Sequence, residues 1–447
     1  MKRSLMIGVG LLAVTASASA DNGSPDNVPG ISSTAPGISP EGALAPISIV
    51  EGPGIKIGEG TVLHPIIGLE TGVVSNVFYE TSDEQPRTAG LLRIIGQIGT
   101  GSLSPQRLAV SGESDGATNP GTMEYRADLR LSYDLYLSGQ DTVQEQGGLG
   151  VGALLRGTVF PRRTWSFHYL EHFQRLIRST NFESSQQTNR DINRIQLGLQ
   201  FAPVGRNIST LLHYQNVIDY FEDDDQQFAN RMQHSAGLTV SWRFRPMTVF
   251  FVDGTMGYYT GFGSESTKID STPLTVSAGV QTLLSLNTSV IARAGYTNGF
   301  YDSGPSYSSV MGGVQLGYRY SHTGRITMMY DYTHQDSINA NFYRDHTFRV
   351  DLEQQFVPLL VHVSPEVRLR QYQGVMGVVG GATSNTRDDV IFAVAAGARY
   401  SFRDWFAGVI EYRLSLVDTD FRYMSGTVID DPSYVRHEIV VGVRAAL

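Results

Sequence analysis

The chain has 447 residues, of which 17% are charged and 41% hydrophobic, with a formal net charge of −9 and no cysteine. Zero cysteine excludes a disulfide framework, thiol catalysis and a lipid anchor on an N-terminal cysteine. The acidic balance argues against nucleic acid as a partner, and beyond residue 20 no run approaches the roughly 18 apolar residues that a membrane helix needs.

Lys2 and Arg3 precede an apolar run over residues 5–14 and a small-residue stretch ending Ala18-Ser19-Ala20. A charged start, a short apolar core and an A-x-A site make a secretory signal peptide, so residues 1–20 are expected to be removed, leaving Asp21 first. Loss of two basic residues and no acid takes the formal charge from −9 to −11. Three Pro-Gly-Ile repeats follow, at Pro29, Pro36 and Pro53. Proline and glycine at that density oppose both helix and central strand, so residues 21–59 are expected to form an extended arm. It would serve as a spacer, a lumen plug or a contact for periplasmic export partners.

From residue 60 the pattern changes to a period of two. Over residues 123–138 the odd positions carry Met123, Tyr125, Ala127, Leu129, Leu131, Tyr133, Leu135 and Leu137, while the even ones carry Glu124, Arg126, Asp128, Arg130, Ser132 and Asp134. That is a strand with one apolar and one polar face. It is far longer than the 5 to 6 residues of ordinary strands and fits a membrane-crossing strand of about 9 to 11 residues with extensions. Residues 232–244 and 390–403 repeat the pattern. Eighteen such segments are expected between Thr61 and Leu447. The fold class is therefore all-β, an antiparallel transmembrane β-barrel over residues 60–447 set in the cell outer membrane, with lipid and lipopolysaccharide against its apolar face.

Connections alternate in length. Tight ones at Pro161, residues 203–206, Pro246, Asn287, Gly324, Pro358 and Asp404 belong to the periplasmic end, and longer polar ones at residues 180–190, 222–230, 263–272, 374–388 and 420–432 to the outside. Trp165, Trp242 and Trp405 all lie beside tight turns, which makes them a membrane girdle. Phe78, Tyr79, Tyr220, Phe221, Tyr258, Tyr259, Phe300, Tyr301, Phe342 and Tyr343 cluster at the ends of the long loops and are expected to form the outer girdle.

Eighteen strands leave an interior too wide for side chains to fill, so a water channel is the default expectation. Strand parity points Arg126, Arg130, Arg156, Arg194, Arg231, Arg243, Arg293, Arg319, Arg349, Arg368, Arg370, Arg399, Arg413, Arg436 and Arg444 inward as pore-lining candidates. Carboxylates including Asp134, Asp253, Asp331, Asp345, Glu366, Glu411 and Glu438 share that face, so a cationic pathway for an anionic solute competes with a structural arginine–carboxylate ladder. With only three lysines in the chain, the arginines also reflect a preferred base. His168 and His172 face alike on one strand without a third ligand, which favours polar lumen groups over a metal site. No G-x-S-x-G nucleophile motif occurs. The run Glu222-Asp223-Asp224-Asp225 lacks the spaced ligands of a calcium loop and suits a solvated tip. No catalytic residue, metal or cofactor is expected, and the chain is not expected to be an enzyme.

Ser75-Asn76-Val77-Phe78, at the end of the opening strand, resembles the first-strand motif of outer-membrane β-barrel porins linked to exopolysaccharide secretion. The barrel size is also similar to that of the alginate export porins. The resemblance implies export of a polysaccharide or other anionic solute. A general diffusion porin and a structural or surface-interaction barrel remain the alternatives. The chain departs from many barrels in ending on Leu447 rather than an aromatic residue.

Overall fold

The computed structural model describes residues 54–58, 61–81, 86–101, 122–161, 163–177, 189–203, 205–338, 340–375, 386–421, 423–425, 428–430 and 432–447. The expected signal peptide, residues 1–20, and all of the arm before residue 54 lie outside the described residues.

A short strand β1 (Ile55–Gly58) is followed by β2 (Thr61–Val74), β3 (Ala89–Gly101), β4 (Met123–Leu137), β5 (Gly148–Val159), β6 (Trp165–Leu176) and β7 (Arg190–Phe201). Then come β8 (Ile208–Phe221), β9 (Arg231–Arg245), β10 (Thr248–Gly261), β11 (Leu274–Ser285), β12 (Thr288–Asn298) and β13 (Ser308–Ser321). The last are β14 (Gly324–Asp336), β15 (Phe342–Phe356), β16 (Leu359–Gln373), β17 (Thr386–Arg403), β18 (Phe406–Thr419), the small hairpin β19 (Tyr423–Ser425) and β20 (Val428–Asp430), and β21 (Tyr434–Ala446).

Successive strands from β2 to β18 pair antiparallel, β18 pairs with β21, and β21 pairs back onto β2 from Ala446↔Ile66 to Glu438↔Val74. Eighteen strands thus close a barrel. β1 takes the stretch of the β2 edge that β21 does not reach, with Ile55 opposite Leu63. The amide of the last residue, Leu447, donates to the Pro65 carbonyl at 3.0 Å, so the ladder is paired to the end of the chain.

The period of two sets which face looks where. Leu129, Leu131, Tyr133 and Leu135 of β4 are exposed, whereas Asp134 and Tyr136 are buried. The same alternation recurs on β9, where Leu238, Val240 and Trp242 are exposed against buried Thr239 and Ser241. The apolar side chains cover the exterior and the polar ones line the interior, the reverse of a soluble domain and the arrangement a bilayer selects.

Turns at 246–247, 286–287, 322–323, 357–358 and 404–405 mark one end of the barrel as periplasmic. One connection at this end, residues 102–122, is long, and 102–121 fall outside the described residues. At the other end the strands reach further into the connections than the sequence suggests: Arg190 begins β7 and Asp388 lies inside β17.

Among the described residues, the connection after β2 turns inward, whereas residues 139–142 after β4 are exposed. After β2, Val77 and Tyr79 are buried, Val77 against Val74, Leu91, Tyr136 and Val440, and Tyr79 against Ile391, Val417 and Tyr434. Asn76 makes this fold-back possible. It adopts φ = 54°, a left-handed conformation that asparagine tolerates better than most residues. Its amide nitrogen donates to the carbonyls of Glu80 at 2.6 Å and Val435 at 3.0 Å, and its oxygen accepts from the Glu80 amide at 2.7 Å. The Ser75–Phe78 motif is thus the hinge of an inward loop.

This corrects the expected outer girdle. Tyr220, Tyr258 and Phe300 are exposed, but Phe221 and Tyr259 are buried inside, as are Tyr79 and Tyr343, and Phe342, on the outward parity of β15, is buried against Tyr301 and Tyr307. On β8 and β10 adjacent aromatics face opposite ways, so Phe221 and Tyr259 point inward while Tyr220 and Tyr258 face out.

Asn76→Ala leaves buried polar groups unpaired at a cost of about 1–3 kcal/mol. The barrel is expected to keep its heat-modifiable mobility, while trypsin cleavage after the exposed Arg87 accelerates about tenfold or more.

Candidate functional site: the lumen wall

The interior charges fall into networks that strand register assembles. Around the closure seam, Arg93 of β3 stands opposite Glu70 of β2 and Asp134 of β4. It donates to Asp134 at 2.7 and 3.2 Å, to Glu70 at 3.4 Å and to Glu438 of β21 at 3.2 Å. Arg444 binds Glu70 at 2.6 Å and Glu411 of β18 at 3.2 Å. Arg413 reaches Glu411 at 3.4 Å and Glu438 at 3.8 Å, and Arg436 lies 3.6 Å from Glu438 and over the Tyr79 ring at 4.5 Å. Five strands meet in this network, and Glu70, Asp134 and Glu438 are buried, Glu70 being 1% exposed.

A second network runs over β15, β16 and β17. Arg370 grips Asp345 through two hydrogen bonds of 2.8 Å, with the Tyr343 ring 3.9 Å from its guanidinium carbon. Arg349 and Arg368 share Glu366, and Arg387 binds Asp389 at 2.7 Å. A third joins Arg190 and Arg231 through Asp219. Bidentate arginine–carboxylate pairs of this kind combine charge with fixed geometry.

At the outer mouth the loops are tied to one another. Lys268 donates to the carbonyls of Ser337, at 2.9 Å, and Ile338, and Asn341 donates to Pro305 O at 3.1 Å. Tyr301 donates to Asp336. Burial, and then the Asp336 carboxylate, hold the Tyr301 hydroxyl well above its ordinary pKa, so it remains a donor at any physiological pH. Phe421 packs with Ala340, Tyr343, Tyr372 and Val375 across the interior of the same end.

The expected pore-lining arginines all sit on the polar, inward parity. Arg126, Arg293, Arg349, Arg368, Arg370, Arg413 and Arg436 make ion pairs, as do Arg231 and Arg444. Arg156, Arg194 and Arg399 share that wall and have further partners. Arg130, Arg243 and Arg319 make no ion pair among the described residues. Arg130 stands on β4 between Gln97 of β3 and Gly152 of β5.

Sequence reasoning missed Glu70, Arg93, Arg190, Asp219, Arg387 and Asp389. Parity alone would have found Glu70, whose strand alternates. β3 hides Arg93 because Leu91, Leu92, Ile94 and Ile95 put apolar residues on both faces. His168 hydrogen-bonds Thr158, Ser166 and Gln200, and no cluster suited to a metal exists among the described residues. Trp165, Trp242 and Trp405 are exposed on the outer wall beside the periplasmic turns, and Trp165 packs on Phe201 at 4.5 Å.

The chain is a barrel of the outer membrane. An even number of strands closed on themselves, an apolar exterior and an aromatic rim at the periplasmic turns leave no other solvent that suits it. No protein-family model and no curated protein matches the chain. Among solved structures it is similar to Pseudomonas aeruginosa OpdK with vanillate, at 9% identity and a TM-score of 0.44, covering 87% of this chain and 99% of that one. It is also similar to Acinetobacter baumannii OccAB4, at 10% identity and 0.43, covering 86% and 98%. Pseudomonas aeruginosa OccK2 (OpdF) in complex with glucuronate gives 11% identity and 0.42, covering 87% and 99%. The eighteen-strand barrel that the resemblance implied is present, and the link of Ser75–Phe78 to exopolysaccharide secretion gains no support.

Breaking a buried pair on one side leaves an uncompensated charge and costs about 3–5 kcal/mol. Arg93→Leu is expected to lower the unfolding free energy obtained from urea titration by that amount, whereas Arg126→Leu, at a wetter pair, lowers it by less than about half as much.

Proposed function

We propose that the barrel is a passive channel for small anionic solutes. The observation that carries this reading is the set Arg130, Arg243 and Arg319, three inward arginines without an ion pair among the described residues, on a wall where most other arginines are matched by carboxylates. Fixed cations beside a narrow passage raise the local concentration of anions and lower their entry barrier.

The outer mouth supports a small solute over a polymer. Tyr79, Phe421 and the Lys268 loop all occupy interior space that a polysaccharide chain would have to thread. The paired networks then act as a rigid scaffold, and the three unmatched arginines supply the selectivity.

In a planar bilayer with a potassium chloride gradient, the reversal potential is expected to show chloride preferred over potassium by about threefold or more. The triple substitution Arg130→Gln, Arg243→Gln, Arg319→Gln should bring that ratio close to one without closing the channel. A cation-preferring current sinks the anion reading and leaves a general diffusion porin. A folded barrel that passes no current points instead to a structural role.

A further inference from the structure

The outer wall changes character over three register rows that cross β14 to β18. The row nearest the membrane centre is Tyr330, Phe348, Val367, Phe392 and Leu416, all apolar or aromatic. The next is Tyr332, His346, Leu369, Val390 and Asp418. The third, closest to the extracellular end, brings Arg344, Gln371 and Asp388 together, and the Asp388 amide donates to Asp420 at 2.9 Å. Within four residues along each strand the wall passes from hydrocarbon-compatible to ionic, which places the lipid headgroup level at the upper two rows.

A cleft of about 670 Å³ lies at those two rows. Arg344 and His346 form one side and Asp388, Asp418 and Asp420 the other, with Leu369 and Val390 as an apolar floor that runs down into the lipid belt. His346 is fixed in place: its Nδ1 is 2.9 Å from the Tyr330 hydroxyl and its ring stacks on Tyr332 at 4.4 Å, which leaves Nε2 for a ligand. None of the three aspartates makes an ion pair among the described residues. The outward couples Tyr214–His234 and Tyr412–His437, at 2.7 and 2.9 Å, lie similarly few residues below their own extracellular strand ends. Such amphipathic rings suit the same boundary elsewhere around the barrel.

We propose that this cleft holds the headgroup of a lipid of the extracellular leaflet that carries both a phosphate and a primary amine, a headgroup chemistry for which phosphatidylethanolamine serves as the probe. The phosphate sits against Arg344 and His346, the ammonium sits against Asp388 and Asp418, and the acyl chains descend over Leu369, Val390 and the apolar row below. Arg344 and Asp388 are separated by two strand spacings, about 10 Å, a gap that a phosphate and an ammonium a few ångströms apart fill once both side chains lean inward. The carboxylates outnumber the cations, so a lipid with phosphate alone meets net repulsion and a zwitterionic head does not. The apolar floor favours a molecule with a tail over a free ion. This inference needs only the barrel's place in the membrane, so a failure of the channel reading leaves it intact.

The test is native mass spectrometry of the full-length barrel after exchange into nanodiscs of phosphatidylethanolamine, phosphatidylglycerol or phosphatidylcholine, counting the lipid retained as the detergent concentration rises. Phosphatidylethanolamine is expected to be retained at one molecule per barrel, at least about tenfold more persistently than the other two. Asp388→Asn with Asp418→Asn should abolish that preference, and Arg344→Gln should weaken retention, with heat-modifiable mobility confirming that each variant is folded. Equal retention of phosphatidylglycerol, or a preference that survives the double substitution, overturns the proposal. Equally tight binding of soluble phosphoethanolamine would make the ligand a free phosphate ester and overturn the lipid assignment.

Discussion

In hydrocarbon a backbone amide has no water to bond, so a strand that crosses the bilayer must be paired along both edges. Everything else in this chain depends on that ladder closing. The seam between β2 and β21 supplies the closure, and its pairing continues to the last amide, Leu447 to Pro65. β1 covers the remaining length of the β2 edge and so leaves less of it open to another chain. The terminal Leu447 presents a smaller side chain than an aromatic residue would, but the backbone bonds that define the seam do not depend on it.

Closure also decides the electrostatics. Once each strand's neighbours are set, a residue's partners follow from register: Arg93 has Glu70 on one side and Asp134 on the other, and Arg370 has Asp345 directly opposite. Inward charges in a partly dry wall are tolerable only when matched, and the networks at the seam, across β15 to β17 and at Asp219 meet that condition. Arg130, Arg243 and Arg319, which make no ion pair among the described residues, stand out against those networks and carry the proposed anion preference.

The outer end of the barrel follows a different logic. Its strands extend beyond the bilayer, so their inner faces and the loops above them are free to pack as a soluble core does. Val77, Tyr79, Phe421 and Ile338 are buried there on the inside of a membrane protein, and hydrogen bonds such as Lys268 to Ser337 tie loops distant in sequence. Charge and aromatic packing meet at this end, where Arg370 lies over the Tyr343 ring and Arg387 over Tyr372.

The amino-acid sequence by itself determined the class of fold, the strand count, the lipid-facing residues and the inward parity of the arginines. A period of two is a local property, and the bilayer demands it on every strand, so each segment carries the signal alone. What the sequence hid lies where that signal fails or where partners are remote. Arg93 is hidden because β3 is apolar on both faces, and the loop-end aromatics read as one girdle because proximity in sequence does not say which of two adjacent rings points inward. Which arginines are matched, and which loops enter the lumen, was decided only by the tertiary structure. Those outcomes depend on cross-strand register and barrel closure, which bring residue 70 beside residue 444 and residue 268 beside residue 337.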